Sequence, residues 1–378
     1  MIYFDNAATT QMSDVALDAL LEVSRENFGN PSSLYNTGRR AREILEESRR
    51  IIANCIGALS EEIYFTSCGT ESDNWAVSQC VNQKVERLIS SQIEHHAVLN
   101  AIEKYQCDDI ETILLPVDIG CNLDKNALIK SLDGRKTFAS IMFQNNETGV
   151  IQPIKELAQI VHNDNPNSIF HTDAVQAVGH TQIDVNDLGI DMMSASAHKF
   201  NGPKGVGFLY VRKNISIVPL IAGGGQERGF RSGTENVAAI YSMAKALEEN
   251  ILKQKEIRTN ISRMERVLLD ELNRREVHYA VNGDSKRRAC GVINISIEDI
   301  DGEGMLHMLD THDICVSTGS ACNSESKEPS YVLSAMKLEE DRIDSAIRVS
   351  IGRYNTEEDI MELVRWITHY YKILKNLV

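Results

Sequence analysis

The sequence predicts an α/β protein built around a largely parallel sheet. Short apolar runs alternate with stretches whose apolar residues recur at the helical period, which is the pattern of strands joined by helical crossovers. Two of the helical stretches are Leu34 to Ala53 and Pro153 to His162, and the proline suits a first helical turn. The predicted strands of this first part are Ile63 to Phe65, Arg87 to Ile89, Thr112 to Leu115, Phe138 to Phe143 and Ser168 to His171.

The pattern changes after a glycine-rich segment at Gly223 to Gly225. A long charged stretch with few helix breakers, Tyr241 to Val277, predicts a connecting helix that leads to a second unit. That unit has a predicted strand at Gly291 to Ile297, a loop of small residues at Ser317 to Ser326 and a closing helix at Glu357 to Leu377. We therefore expect a large domain over residues 15–250, and a smaller α+β domain formed by residues 1–14 and 251–378.

Composition and charge narrow the classes of function. The 378 residues carry 39 Lys and Arg against 54 Asp and Glu, and this net charge of -15 would repel a nucleic-acid backbone. The chain has no run of about 18 uncharged apolar residues and no basic-then-apolar start, so we expect a cytoplasmic protein that neither enters nor binds a membrane. The eight cysteines form no C-x-x-C pair, which favours free thiols over a zinc site or a disulfide framework.

The segment from Ser194 to Val211, SASAHKFNGPKGVGFLYV, is the first candidate for chemistry. It places Lys199 beside Ser196 and His198, ahead of a run of glycines. An amine next to hydroxyl and imidazole donors suits an aldehyde cofactor that also carries a phosphate. A surface lysine before a turn is the alternative for an isolated His-Lys pair.

Two further segments fit the same kind of cofactor. Asp173 follows an apolar run in HTDAVQAVG, where the end of a strand opens on the ligand crevice of an α/β sheet, and a carboxylate there can keep a pyridine nitrogen protonated. In EIYFTSCGTESDN, Gly69 and Thr70 precede a helix start that can donate backbone N–H groups to a phosphate. Each segment alone is also compatible with simple helix capping.

Together these segments resemble the class-V pyridoxal-phosphate enzymes of the aspartate-aminotransferase fold, and in particular the cysteine desulfurases of the NifS and IscS type. The resemblance runs almost end to end, and its strings appear in the family's order. They are YFDNAATT, GNPSS, FTSCGTESDN, EHHAV, NNETGVIQP, HTDAVQ, SAHKFNGPKG, RSGTEN, STGSAC and IRVSIGR. The resemblance implies fold type I, with a mostly parallel seven-stranded sheet in the large domain, and an obligate homodimer.

The resemblance also implies a role for each site residue. Lys199 would hold pyridoxal 5'-phosphate as a Schiff base and move the substrate protons, and Asp173 would pair with the pyridinium nitrogen. Gln176 would hydrogen-bond the ring hydroxyl, and His95 would stack on the ring and assist proton transfer. The phosphate would be held by Gly69, Thr70, Ser196 and His198, and by Thr234 of the other subunit. Asn146 would contact the cofactor and, with Arg353, the carboxylate of L-cysteine.

Cys322 lies in the segment STGSACNSESKEPS, where small residues leave the backbone few anchors. The resemblance implies that this thiolate takes the substrate sulfur as a persulfide, releases L-alanine and passes the sulfur to an iron-sulfur scaffold or another acceptor protein. Two departures from the family strings, Tyr35 and the residues from Asn323 to Lys327, concern acceptor choice and persulfide reactivity. The alternatives are a selenocysteine lyase, another class-V aminotransferase, or a non-catalytic sulfur carrier or scaffold with an anion loop at GGGQERG.

Overall fold

The structure is a computed structural model that describes residues 1–318 and 329–375. Its strands in chain order are β1 (Ile2–Tyr3), β2 (Ile63–Thr66), β3 (Arg87–Ser91), β4 (Glu111–Leu115), β5 (Thr137–Ser140), β6 (Ile169–Asp173), β7 (Met192–Ser196), β8 (Gly207–Val211), β9 (Tyr279–Asn282), β10 (Val292–Ile297), β11 (Ile314–Cys315) and β12 (Ala346–Ser350).

The helices connect and cover these strands. They are α1 (Asp14–Glu26), α2 (Asn36–Ile56), α3 (Gly69–Asn82), α4 (His96–Tyr105), α5 (Lys125–Lys130), α6 (Ile154–Asp164), α7 (Val185–Leu188), α8 (Val237–Arg274), α9 (Gly302–Asp310), α10 (Tyr331–Ala335), α11 (Glu340–Asp344) and α12 (Glu357–Lys375).

A seven-stranded sheet in the order β2-β8-β7-β6-β5-β3-β4 forms the centre of the fold. The strands from β7 through β6, β5 and β3 to β4 pair in parallel, whereas β8 is antiparallel to both of its neighbours. The mostly parallel sheet predicted from the apolar runs is therefore confirmed. One predicted strand was too long, because β5 ends at Ser140 and the residues up to Phe143 continue outside the sheet.

The carboxyl ends of the parallel strands meet at one edge of the sheet, as in other open α/β sheets. Asp173 is the last residue of β6, and Ser196 is the last residue of its neighbour β7. A short 3-10 turn, Ala197–Lys199, follows β7 directly and carries the lysine of the sequence prediction. The topology thus places the lysine and the aspartate next to each other although they are far apart in sequence.

A smaller sheet, β12-β10-β9, lies in the C-terminal part of the chain. Its apolar core draws on residues from Ile261 onward together with Phe4, so the first residues of the chain pack with the last part. The helix α8 runs unbroken across residue 250, and Val332 and Leu333 of α10 pack in the core of the large sheet. The domain limits at residues 15 and 250 stay a prediction.

No helix in residues 1–318 and 329–375 is long and apolar enough to cross a membrane. The cysteines within these ranges are free thiols, and the same ranges contain no cluster of side chains able to hold a metal ion.

Candidate active site

A cavity of about 360 Å³ opens at the carboxyl edge of the large sheet. It gathers nine of the residues predicted from the sequence, namely Gly69, Thr70, His95, Asn146, Asp173, Gln176, Ser196, His198 and Lys199. The rest of its lining is Ala7, Ala8, Cys68, Met142, Gln144, Val175 and Arg348.

Lys199 reaches into this cavity from the turn after β7. Its Nζ donates hydrogen bonds to the carbonyl oxygens of Ala7 and Ala8, at 2.6 and 2.8 Å. The amide nitrogen of Gln176 donates to the same Ala7 carbonyl at 2.9 Å. The N-terminal segment therefore forms one wall of the cavity and holds the lysine amine in place.

Asp173 and His95 are two buried ionisable groups that face this lysine. Burial raises the pKa of Asp173, whereas the nearby charges of His95 and Lys199 and the N–H of Val175 act in the opposite direction. Burial lowers the pKa of His95, and the charge of Asp173 opposes that shift. The ring Nδ1 of His95 accepts a hydrogen bond from the Ala97 N–H at 3.1 Å, so the neutral ring carries its proton on Nε2.

A second buried layer lies behind Asp173. His171 Nε2 is 3.0 Å from Ser194 Oγ and 3.8 Å from the Asp73 carboxylate, and its Nδ1 is 2.9 Å from Ser140 Oγ. Burial, followed by the charge of Asp173, raises the pKa of Asp73 well above its usual value. Burial also lowers the pKa of His171 to about 3, so its ring is neutral near pH 7. Of the two carboxylates, Asp173 is the one that lines the cavity and lies beside the charges of His95 and Lys199.

The start of α3 forms the opposite end of the cavity. The residue before the helix, Cys68, makes no side-chain cap, so the first N–H groups of α3 are not capped by it. A Cβ at Gly69 would lie 2.6 Å from Cγ2 of Val175, which lines the same cavity. Glycine is required here by close approach and leaves room for an anion at the helix N-terminus.

His198 stands beside this helix start. Its Nδ1 is 3.1 Å from Thr9 Oγ1, and burial together with the charges of Lys199 and Lys204 lowers its pKa to about 4. A neutral imidazole with hydroxyl neighbours can hydrogen-bond an oxyanion without adding a buried charge.

Arg348, in the buried strand β12, supplies a cation to the cavity and is not among the site residues predicted from the sequence. Its Nη1 donates to the Asn146 carbonyl at 2.9 Å and its Nη2 pairs with Asp5 at 2.6 Å. The Nε of Arg348 and the Oδ1 of Asn146 are both buried without a partner among the described residues. These two atoms can bind a polar group that enters the cavity.

Comparisons with known proteins agree with this architecture. The model of the family described as Aminotransferase class-V matches residues 2–363.

The chain belongs to the class-V aminotransferase family.

The relatives of this class-V aminotransferase indicate which type within the family it is most similar to. A cysteine desulfurase IscS of Methanosarcina thermophila is 42% identical over 381 residues, which cover 100% of this chain and 93% of the relative. A solved NifS-like protein superposes with a TM-score of 0.92 at 34% identity, over 98% of this chain and 99% of the other. A structure described as SspA in complex with cysteine matches with a TM-score of 0.83 at 30% identity, covering 94% and 100% of the two chains. The predicted kinship with the NifS and IscS type is confirmed.

In this class-V aminotransferase, two predicted site residues lie outside the cavity. Arg353 was expected to bind the substrate carboxylate, but its guanidinium forms a two-bond ion pair with Glu249 on α8, at 2.9 and 3.1 Å. Arg348, which stands in the same IRVSIGR string, lines the cavity instead, and the binding of the substrate carboxylate by Arg353 stays a prediction. Thr234 is exposed and does not line the cavity of its own chain, so its contact with a second subunit stays a prediction.

Cys322 lies outside the described residues, but the chain on both sides of its segment is fixed beside the cavity. Before the segment, the Ser317 N–H donates to the Arg348 carbonyl at 3.1 Å. After it, Ser330 Oγ donates to the carboxylate of Glu147, the neighbour of Asn146, at 2.5 Å. The described residues on both sides of the segment are therefore bonded to Arg348, which lines the cavity, and to Glu147, which adjoins the lining residue Asn146.

Proposed function

We propose that this chain is a pyridoxal-phosphate-dependent cysteine desulfurase that converts L-cysteine to L-alanine and leaves the sulfur as a persulfide on Cys322. The observation that carries the proposal is the meeting of one lysine amine, one buried carboxylate and one neutral imidazole in a single cavity. The relatives named cysteine desulfurase and the neighbour solved with cysteine support this assignment.

The residues of the cavity fit pyridoxal phosphate. The free N–H groups at the start of α3, with Thr70, Ser196 and His198, suit the phosphate, and the lack of a side chain at Gly69 provides the space. Asp173, which lines the cavity beside the charges of His95 and Lys199, suits the pyridine nitrogen. When bound, the cofactor supplies an aldehyde that links to an amine and a ring that accepts electrons from the substrate.

Lys199 is the base in this proposal. Its amine removes the α-proton of L-cysteine and returns a proton to the product carbon, and the Ala7 and Ala8 carbonyls orient Nζ toward the cavity. His95 assists from the opposite wall, because its neutral ring can accept or donate a proton close to Asp173.

Arg348 and Asn146 orient the substrate. The Nε donor of Arg348, unpartnered among the described residues, is available to the substrate carboxylate. This contact holds the amino acid in one direction, so the same hydrogen always points to Lys199.

Cys322 takes the sulfur. Its thiolate attacks the sulfur of L-cysteine, an S–S bond forms while the C–S bond breaks, and the electron pair of the broken bond stays with the substrate carbon, which is protonated to alanine. The persulfide then passes to an acceptor protein such as an iron-sulfur scaffold. A homodimer, with Thr234 reaching the partner's cofactor, completes the proposal, as does a cytoplasmic location.

The test is the Cys322→Ala variant, with Cys107→Ala as its control because Cys107 is an exposed free thiol outside the cavity. We expect both variants to keep the visible absorbance of the bound cofactor, and only Cys107→Ala to produce alanine and sulfide from cysteine. Full activity in Cys322→Ala would exclude the persulfide route and would favour a lyase or an aminotransferase. A wild-type protein that stays colourless after incubation with pyridoxal phosphate would favour a non-catalytic carrier.

A further inference from the structure

A second cavity, of about 120 Å³, lies between the large sheet and the smaller one. One wall is α8, a second comes from the chain before β10 and after β12, and the rest comes from the N-terminal segment and from loops of the large sheet. It adjoins the active-site cavity, since Ala7, Gln144 and Gln176 line both. We call it the interdomain cavity; its place does not depend on the reaction proposed above.

The charge of its lining is one-sided. Arg258, Arg288 and Arg353 line it, and its described lining contains neither aspartate nor glutamate, in a molecule with a net charge of -15. The carboxylates that pair with two of these arginines, Glu265 and Glu249, are not among the lining residues. Because Arg288 and Arg353 are paired, Arg258 is the lining arginine that has no carboxylate partner among the described residues. An anion would find this counter-charge, whereas a cation would find none on these walls.

Two buried donors of this lining have no acceptor. The side chain of Arg288 is only 5% exposed; Nη1 donates to the Val292 carbonyl at 3.0 Å and Nη2 pairs with Glu265, but Nε has no partner among the described residues. The side-chain nitrogen of Gln254 is also unpartnered within the described chain. A buried donor without a hydrogen bond costs about 1 to 3 kcal/mol of free energy. Binding of an acceptor that reaches both atoms would therefore be favourable.

The remaining lining is mixed. Polar side chains such as Asn6, Thr10 and Asn250 contribute to it, and branched aliphatic side chains provide its apolar surface, namely Ile151, Ile257, Ile261, Val292 and Ile351. A ligand made only of charge, such as a chloride ion, would leave this surface without a partner, whereas an aliphatic chain would cover it.

We propose that the interdomain cavity binds a small organic anion, with its carboxylate toward Arg288, Gln254 and Arg258 and its aliphatic part against the isoleucines. Such a ligand would join α8 to the smaller sheet. It would also lie next to the segment that holds Lys199, because His180 lines the cavity and its Nε2 is 2.8 Å from the Lys199 carbonyl.

Isothermal titration calorimetry of the cofactor-loaded protein with hexanoate tests this proposal. Hexanol and hexylamine serve as probes with the same chain but without the negative charge. We expect saturable binding of one hexanoate per chain, and at least tenfold weaker binding of the other two. Equal binding of all three probes, or no binding of hexanoate, would overturn the proposal.

Variants locate the bound hexanoate. Ala289→Leu fills the interdomain cavity and Arg258→Gln removes an exposed charge from its lining, so each should weaken binding at least tenfold. Arg266→Gln, a change to an arginine of α8 that does not line the cavity, should leave binding unchanged. Arg348→Gln distinguishes the two cavities: hexanoate that binds Ala289→Leu normally but fails to bind Arg348→Gln occupies the active site, and the proposal fails.

Discussion

The two cavities share three wall residues, but their chemistry is opposite. The active-site cavity brings a lysine amine, the buried Asp173 and the neutral His95 together, so it contains both signs of charge. The interdomain cavity has arginines and aliphatic side chains and, in its described lining, no carboxylate. Groups of opposite sign with shifted pKa values suit proton transfer, whereas a one-sided set of donors suits only the binding of an anion.

The two arginines of IRVSIGR make this contrast specific, because only four residues lie between them and each lines a different cavity. Arg348 lines the active site, and its Nε has no hydrogen-bond partner among the described residues. The guanidinium of Arg353, in contrast, is paired with Glu249. The same residue type is therefore expected to bind substrate in one position and to stabilise the fold in the other.

The larger expected effect belongs to Arg348→Gln. Losing a charged hydrogen bond to the substrate carboxylate should cost about 2 kcal/mol, or roughly 30-fold in kcat/KM for cysteine, mainly through a higher KM. Steady-state kinetics measure this effect, and cofactor absorbance and the melting temperature check the fold, since Asp5 loses its ion-pair partner. An unchanged KM for cysteine in Arg348→Gln would contradict the assignment of Arg348 to substrate binding.

The smaller effect on catalysis belongs to Arg353→Gln, for which we expect kcat/KM to stay within about twofold of wild type. Its effect should instead be on stability. Burial tends to raise the pKa of Glu249, but hydrogen bonds from Arg353, Lys253 and Ser13 outweigh it and lower that pKa to about 2.

Because this folded-state pKa lies below the usual value of 4.5, the ion pair stabilises the protein above about pH 4.5, and that stability is lost as the pH falls toward 2. Denaturant unfolding should show Arg353→Gln less stable than wild type at pH 7, by about 1 to 2 kcal/mol. The difference should shrink between pH 4.5 and about 2. If the KM of Arg353→Gln rose as much as that of Arg348→Gln, Arg353 would also have to bind the substrate.

Much of the fold could be predicted from the sequence because each strand or helix is indicated by a pattern of residues adjacent in the chain. Apolar runs such as Arg87 to Ile89 and Ser168 to His171 correspond to β3 and β6. The predicted helix Tyr241 to Val277 coincides with α8 except at its last three residues, because α8 ends at Arg274. Asp173 ends β6 and Lys199 closes the short turn after β7, so the order of these neighbouring parallel strands brings both residues to one edge of the sheet.

What sequence could not supply depends on distant contacts. The string IRVSIGR does not itself show which of its two arginines reaches the active site. The signal that could have separated them is the strand boundary, because Arg348 lies inside the buried strand β12 and Arg353 follows it. The buried pair of Asp73 and His171 joins α3 to β6. The interdomain cavity draws its walls from residues between Asn6 and Arg353, so no single motif reveals it.

The most direct test of the account concerns the amine of Lys199. Borohydride reduction of the cofactor-loaded protein, followed by protease digestion and mass spectrometry, should place one pyridoxyl group per chain on the peptide that contains Lys199. A reduced protein that carried this group on Lys204 or another lysine, or carried none, would contradict the proposed site.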